Sequence, residues 1–276
     1  MQTGKAAAPT GQPRMQTGAE PAGPALPDVL TVQIRGYAHE HQGQPVAVLD
    51  AGCGLAADDL VVRGLHAEGL EVQLTRVDDE GPLTRAVAAA RTDLDSFTLG
   101  DLRTVPLLPR SFDIVQCDRL LERIPHAELV LDRLVNALRP GGLLVLRMSD
   151  RDCAAGFIHR KLPAVVRKLV WRRLQPQWPG PFPAVYEHIV STRGIQSFAL
   201  MRGLVIAERQ TLRVNGSSAD VWRRRFAAAC RLVARLSRGR ITAEHDELLY
   251  IIRKPESRLA RVLLPRRAPE SRSPDH

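Results

Sequence analysis

The 276-residue chain is 44% hydrophobic and 25% charged. That composition suits an ordinary globular protein, and no run approaches the ~20 uninterrupted apolar residues that a membrane span needs. The length allows one large α/β domain with embellishments and excludes a disulfide-stabilised miniprotein. The net charge of +9 is unevenly spread: residues 46–150 carry 11 basic against 17 acidic side chains, and residues 151–240 carry 18 against 4.

Taken in chain order, residues 1–27 are Pro-, Gly- and Ala-rich without an apolar core, and are expected to be a disordered tail rather than a signal peptide. MQTG occurs at 1–4 and again at 15–18, leaving Met1 and Met15 as alternative starts. From residue 46 short apolar runs alternate with helical patterns, the signature of βα units around a parallel sheet. Strands are expected at 46–50, 71–77, 96–99, 112–117 and 143–148. Helices are expected at 56–67, 82–91 and 127–138, the last ending in the stop signal Arg139-Pro140-Gly141-Gly142.

At residue 149 the alternation breaks. A basic segment and a proline-dense run read as an insertion over 151–190, after which a helix at 191–203, a strand at 204–212, a basic helix at 220–238 and a strand at 246–254 complete the core. Residues 256–276 read as a tail. In the basic helix Trp222, Phe226, Ala229, Val233 and Leu236 form one apolar stripe, expected to pack on the sheet. Leu162, Val165, Val166, Leu169 and Val170 form a similar stripe in the insertion, beside Lys161, Arg167 and Lys168.

The most specific motif is VAVLDAGCGLAAD, in which a strand ending in Asp50 runs through Ala51, Gly52, Cys53 and Gly54 into a helix. Glycines let the backbone approach a ligand, and the helix N-terminus lies beside it. A dinucleotide fingerprint competes, because Gly52-x-Gly54-x-x-Ala57 formally fits it. The carboxylate two positions before the first glycine repels pyrophosphate and suits a ligand bearing an ammonium and a sulfonium.

At these residues, and over roughly 30–255, the chain resembles the class I S-adenosylmethionine-dependent methyltransferases. The resemblance implies a Rossmann-like α/β fold: a seven-stranded, mostly parallel sheet with helices on both faces, here with a basic helical cap inserted. It also implies S-adenosyl-L-methionine as cofactor, and divides the chain into a cofactor-binding core over 28–150, a cap over 151–190 and the rest of the core over 191–255. Asp50, Gly52 and Gly54 match the family's acidic-glycine motif, whose third glycine is Ala56 here. The ribose-binding acid matches Asp78, with Asp79 the alternative if the register slips by one. Gly100, Asp101 and Leu102 match the adenine-binding triplet. Cys117 and Asp118 would lie beside the methionine moiety.

The chemistry implied is in-line transfer of an activated methyl group to a small-molecule acceptor, with a general base only where the acceptor must lose a proton. His126, His159 and His188 occupy plausible positions for a base, and Tyr186 for a substrate contact. The tetrapeptide of exocyclic-amine methylases is replaced by Cys117-Asp118-Arg119-Leu120, and the chain shows no cluster of acidic metal ligands. The basic half points to an acidic or lipid-like acceptor and to peripheral membrane contact. Aromatic residues at 4% of the chain argue against a nucleic-acid partner. The cysteines Cys53, Cys117, Cys153 and Cys230 show no metal or disulfide spacing, as suits the cytoplasm. Two other readings remain: an RNA methyltransferase, and a binding protein that keeps the fold without the transfer. The oligomeric state is not legible.

Overall fold

Strands covered on both faces must be apolar nearly throughout, and the central runs of this chain meet that demand. The computed structural model describes residues 28–40, 44–52, 60–78, 85, 96–174, 185–213 and 221–256. Its strands are β1 (Val46–Ala51), β2 (Val72–Asp78), β3 (Ser96–Leu99), β4 (Phe112–Asp118), β5 (Leu138–Ser149), β6 (Val205–Leu212) and β7 (Glu247–Arg253). They form one sheet in the order β3-β2-β1-β4-β5-β7-β6. The first five run parallel, and β7 is antiparallel to both β5 and β6.

This is the expected seven-stranded, mostly parallel architecture. Only β5 differs visibly, because it begins at Leu138 and takes in the Arg-Pro-Gly-Gly turn. The turn survives as an irregularity: Phe112 pairs with Leu138, whereas Ile114 pairs with Leu143. Gly141 adopts φ +86°, and a Cβ on Gly142 would stand 2.6 Å from the Asp113 carbonyl oxygen, so both glycines are required.

Alternation along the strands sends side chains to two apolar layers. One holds Leu49, Ala51, Cys117 and Leu146 under α3 (Ala127–Ala137) and α6 (Thr192–Met201). The other holds Val48, Ile114, Val145 and Ile251 under α1 (Asp28–Glu40) and α2 (Leu60–Ala67). Helix α1 has no counterpart among the sequence expectations. Its inward face, Leu30, Ile34, Tyr37 and Ala38, is buried in the second layer. The first residues of the helix expected at 56–67, the helix expected at 82–91, the proline-dense run at 175–184 and both tails lie outside the described residues.

The basic half builds a third cluster. Helices α4 (Ala154–Lys161), α5 (Ala164–Leu174) and α7 (Val221–Leu236) meet around Cys153, Ala154, Ala155, Leu174, Phe226 and Cys230. The stripe expected on α7 is therefore rotated. Phe226 and Cys230 point inward, whereas Trp222, Ala229 and Leu236 are exposed, because the helix packs on α4 and α5 instead of on the sheet. The stripe on α5 is rotated likewise: Trp171 and Leu174 are buried, and Val165 is 81% exposed.

Truncating Phe226 to alanine should cost roughly 3 kcal/mol locally. Hydrogen exchange by mass spectrometry should then show faster exchange across α4, α5 and α7, with β1, β4 and β5 still protected. Equal acceleration in those strands would make cap and core one cooperative unit.

Candidate functional site

Parallel strands deliver their C-terminal ends to one edge of the sheet, and in doubly wound folds ligands bind there, where the strand order reverses. Here the reversal lies between β1 and β4. Ala51 pairs with Val77 on one side and Cys117 on the other, and Asp78 pairs with Leu99, so the ends of β1 to β4 are level. Asp50, Ala51 and Gly52, then Asp78, then Asp101 and Leu102, then Cys117 and Asp118 thus share one edge. Cys53, Gly54 and Asp79 lie outside the described residues.

The strand ends are stitched together by backbone. Gly52 donates to the Val77 carbonyl at 2.8 Å, and Gly100 to the Asp78 carbonyl at 3.0 Å. Gly52 adopts φ +68°, and a Cβ there would fall 2.3 Å from the Leu120 side chain. Only glycine satisfies both constraints. The buried Arg123 guanidinium donates to the Gly52 carbonyl, tying the first turn to the segment after β4.

The charge on Asp50, read from sequence as an attraction for a cation, is matched within the sheet. Its Oδ2 accepts from Nε and Nη2 of Arg76 at 3.1 and 2.8 Å, and each side chain is 1% exposed. Asp78 is buried at the end of β2. Asp101 sits on a half-exposed loop, where it accepts from the Arg103 side chain and backbone. Those hydrogen bonds hold its carboxyl at about 2. Leu102 is buried behind it. Burial, reinforced by the neighbouring Glu122 carboxyl, pushes the Cys117 thiol well up, so it remains neutral.

The three catalytic candidates separate. His126 is an exposed residue with φ +58° at the start of α3. Its backbone N–H and that of Ala127 donate to the Glu187 carboxylate at 2.7 and 3.0 Å. His188 is exposed, and its carbonyl accepts from Ser191, whose hydroxyl in turn caps α6. Tyr186 is instead buried, with φ +48°, under the cap.

Around Tyr186 lies a cluster that sequence reading only partly named. A cavity of about 20 Å³ lies between Ser149 at the end of β5, Glu247 at the start of β7, and His159, Trp171 and Leu174 of the cap, with Tyr186 in its wall. Glu122, fully buried and outside that lining, accepts from the Ser149 N–H and hydroxyl through Oε1, each at 3.1 Å. Its own carbonyl accepts from the Val185 and Tyr186 N–H groups. Burial raises the Glu122 carboxyl to about 7, against the lowering effect of Arg123, Arg119 and the Ser149 N–H. Burial and the Arg167 guanidinium lower His159 to about 4, so its ring is neutral at pH 7. Burial alone would raise Glu247, but Arg119 at 2.6 Å and Arg147 at 2.8 Å outweigh it and keep the carboxylate ionised. Glu122 carried no sequence signal beyond being an acid after Leu120-Leu121, in a turn between β4 and α3.

Glu122 makes stability depend on pH with a defined sign. The folded protein retains a proton between the unfolded carboxyl value of 4.5 and the folded value of about 7. Stability is therefore lost as pH rises through that window, by ~3 kcal/mol in all. Urea unfolding at pH 5 and 7.5 should show this loss in the wild type and its absence in Glu122→Gln. Parallel pH dependences would remove the assignment.

Residues 49–146 match the family model described as a methyltransferase domain. The ubiquinone biosynthesis O-methyltransferase of Marinobacter nauticus is 27% identical over 111 residues, 38% of this chain and 44% of that protein. The carboxy-S-adenosyl-L-methionine synthase of an Enterobacter species is 28% identical over 152 residues, 48% of this chain and 60% of that protein. The chain thus spans about half the length of the curated relatives it matches. Among solved structures, an S-adenosylmethionine-dependent methyltransferase from Mesorhizobium loti aligns with TM-score 0.49 at 17% identity, covering 80% of this chain and 96% of that one. The matched segment runs from the end of β1 into β5 and contains Asp50, Gly52, Asp78, Asp101, Cys117 and Asp118, so over the sheet edge the chain is similar to methyltransferase domains.

Proposed function

We propose that the chain transfers the activated methyl group of S-adenosylmethionine to a small-molecule acceptor by direct in-line displacement. The observation that carries this reading is the alignment of Asp50, Gly52, Asp78, Asp101 and Cys117 along one edge of a sheet ordered β3-β2-β1-β4-β5-β7-β6. The residues present suit the cofactor. Asp78 is a buried carboxylate at a strand end, placed to accept from two ribose hydroxyls, and the half-exposed Asp101 and the Leu102 backbone suit an adenine edge. Asp50, Gly52, Cys117 and Asp118 flank the position of the methionine moiety. The cofactor supplies a methyl group already bound to a good leaving group. The chain therefore has to hold the acceptor at ~3–3.5 Å from that carbon and exclude water.

The cap supports an acidic or lipid-like acceptor. Arg224, Arg225, Arg231 and Arg235 stand exposed on α7, and on α5 the exposed Val165, Val166 and Leu169 lie among Lys161, Lys168 and Arg172. An apolar face with a basic border suits peripheral contact with an anionic surface. Among the described residues no helix is long and apolar enough to cross a membrane. Cys117, Cys153 and Cys230 are buried free thiols, in keeping with a cytoplasmic location.

Isothermal titration calorimetry should detect one S-adenosylmethionine per chain. Asp78→Ala should weaken that binding at least about tenfold, because each lost charge-assisted hydrogen bond is worth ~1.5–3 kcal/mol. Equal binding by the variant would remove Asp78 from the site, and no binding by the wild type would remove the function.

A further inference from the structure

A cleft of about 670 Å³ is lined mainly by α7 and by residues 239–246, the segment that leads into β7. Small-molecule sites occupy roughly 300–1,000 Å³, so this one has room for a ligand. Its lining contains none of Asp50, Gly52, Asp78, Asp101, Cys117 and Asp118, which makes it separate from the edge proposed for S-adenosylmethionine.

Helix α7 has no acidic side chain, and part of its arginine content falls into register on the cleft. Arg224, Arg231 and Arg235 follow at intervals of seven and four residues, which places them within an arc of ~40° on one side of the helix. Arg231 and Arg235 stand one turn apart, ~6 Å along the axis. Like charges at that spacing destabilise a helix. Elsewhere even exposed arginines are compensated: Arg35 meets Glu68, and Arg202 meets Asp132. Among the described residues no carboxylate does the same for Arg224, Arg231 or Arg235. Ala227, Cys230 and Ala234 line the same wall, so the surface between the cations is apolar. Arg213 anchors the facing wall, its Nε and Nη2 donating to the Glu244 and Ala243 carbonyls at 2.7 and 3.3 Å. That wall carries the apolar Ile241 and two carboxylates, Glu244 and Asp246, against the four arginines of the cleft, so a positive excess remains.

This lining selects the chemistry of its ligand. A cation meets the arginine excess and is repelled. A neutral apolar molecule leaves the guanidinium groups uncompensated, and a bare inorganic anion leaves the apolar walls in water. An anion carried on an apolar body satisfies both. Two guanidinium groups one turn apart match the oxygens of a phosphate, which arginine binds through paired N–H donors. We infer that the cleft binds a phosphate ester with an apolar body, its phosphate held between Arg231 and Arg235 and its body laid over Ala227, Cys230, Ala234 and Ile241. Arg224, two turns away, adds longer-range attraction. This second binding site goes beyond the methyltransferase reading, and no step of methyl transfer passes through it. A soluble phosphate ester and the headgroup of phosphatidic acid present the same chemistry to it.

The test presents hexyl phosphate, hexanol and inorganic phosphate to the full-length chain. Calorimetry at low salt should show one hexyl phosphate bound per chain, at least about tenfold more tightly than either of the other two, and more weakly as salt is raised. The double variant Arg231→Ala/Arg235→Ala should weaken that binding at least about tenfold. Arg193→Ala/Arg209→Ala removes the same charge from exposed positions on α6 and β6 and should leave it unchanged. Both double variants replace exposed side chains and should melt with the wild type. Absence of saturable hexyl phosphate binding, equal affinity for hexanol, or equal loss in the two double variants overturns the site. Co-sedimentation with phosphatidylcholine vesicles, with and without phosphatidic acid, identifies the source of the phosphate. Pelleting with phosphatidic acid that only the cleft variant loses upholds the site with a lipid ligand, and hexyl phosphate binding without pelleting upholds it with a soluble ester. Failure of the wild type to bind S-adenosylmethionine would fall on the methyltransferase reading and leave the cleft as it is.

Discussion

The ion pair between Asp50 and Arg76 is the constraint on which the rest of the sheet edge depends. A parallel sheet covered on both faces offers its strand ends as the place for polar chemistry, and charge put there must be compensated from within. Asp50 and Arg76 face each other across the β1–β2 register, each almost wholly removed from solvent. Removing one partner of such a pair strands the other, at ~3–5 kcal/mol. With the pair in place β1 and β2 end level, Gly52 reaches the Val77 carbonyl, and the turn that follows starts from a fixed point.

The same rule runs along the edge to β7. Glu247 is buried yet ionised because Arg119 and Arg147 converge on it. Asp150 is held by His245 at 2.8 Å, and at the opposite edge of the sheet Asp113 is held by Arg139. Glu122 is the exception. It receives two hydrogen bonds from Ser149, while its second oxygen has no hydrogen-bond partner.

The uneven charge of the chain maps onto this division. The acidic part builds the sheet edge, and the basic part builds α4, α5 and α7, whose own apolar cluster is small. Around the start of α4 the backbone is tied down by hydrogen bonds: Ala154 donates to Thr242, Arg151 to Val190, and Asp150 to Asp246. Gly156 lets α4 come close, since a Cβ there would stand 2.2 Å from the Asp150 carbonyl oxygen.

Strand positions were legible in the residues because a parallel strand buried on both faces is a continuous apolar run. Asp50, Gly52, Asp78 and Asp101 were legible because each sits at the end of such a run, at a spacing set by the sheet. Helix phase on α5 and α7 was not, because an apolar stripe records that a face is buried without saying against what; the sheet was the natural partner, and three helices packing on one another rotated both stripes. Helix α1 had too weak a pattern to announce itself. Asp50 read as an open charge because its partner lies on a neighbouring strand. His159, Trp171 and Tyr186 come from three separate segments, and the cavity they line exists only through tertiary packing. The sequence by itself determined the sheet and the order of its edge residues, since both follow from local periodicity. Tertiary structure alone decided the charge pairing, the packing of α4, α5 and α7 on one another and the small buried cavity, since each depends on contacts between segments distant along the chain.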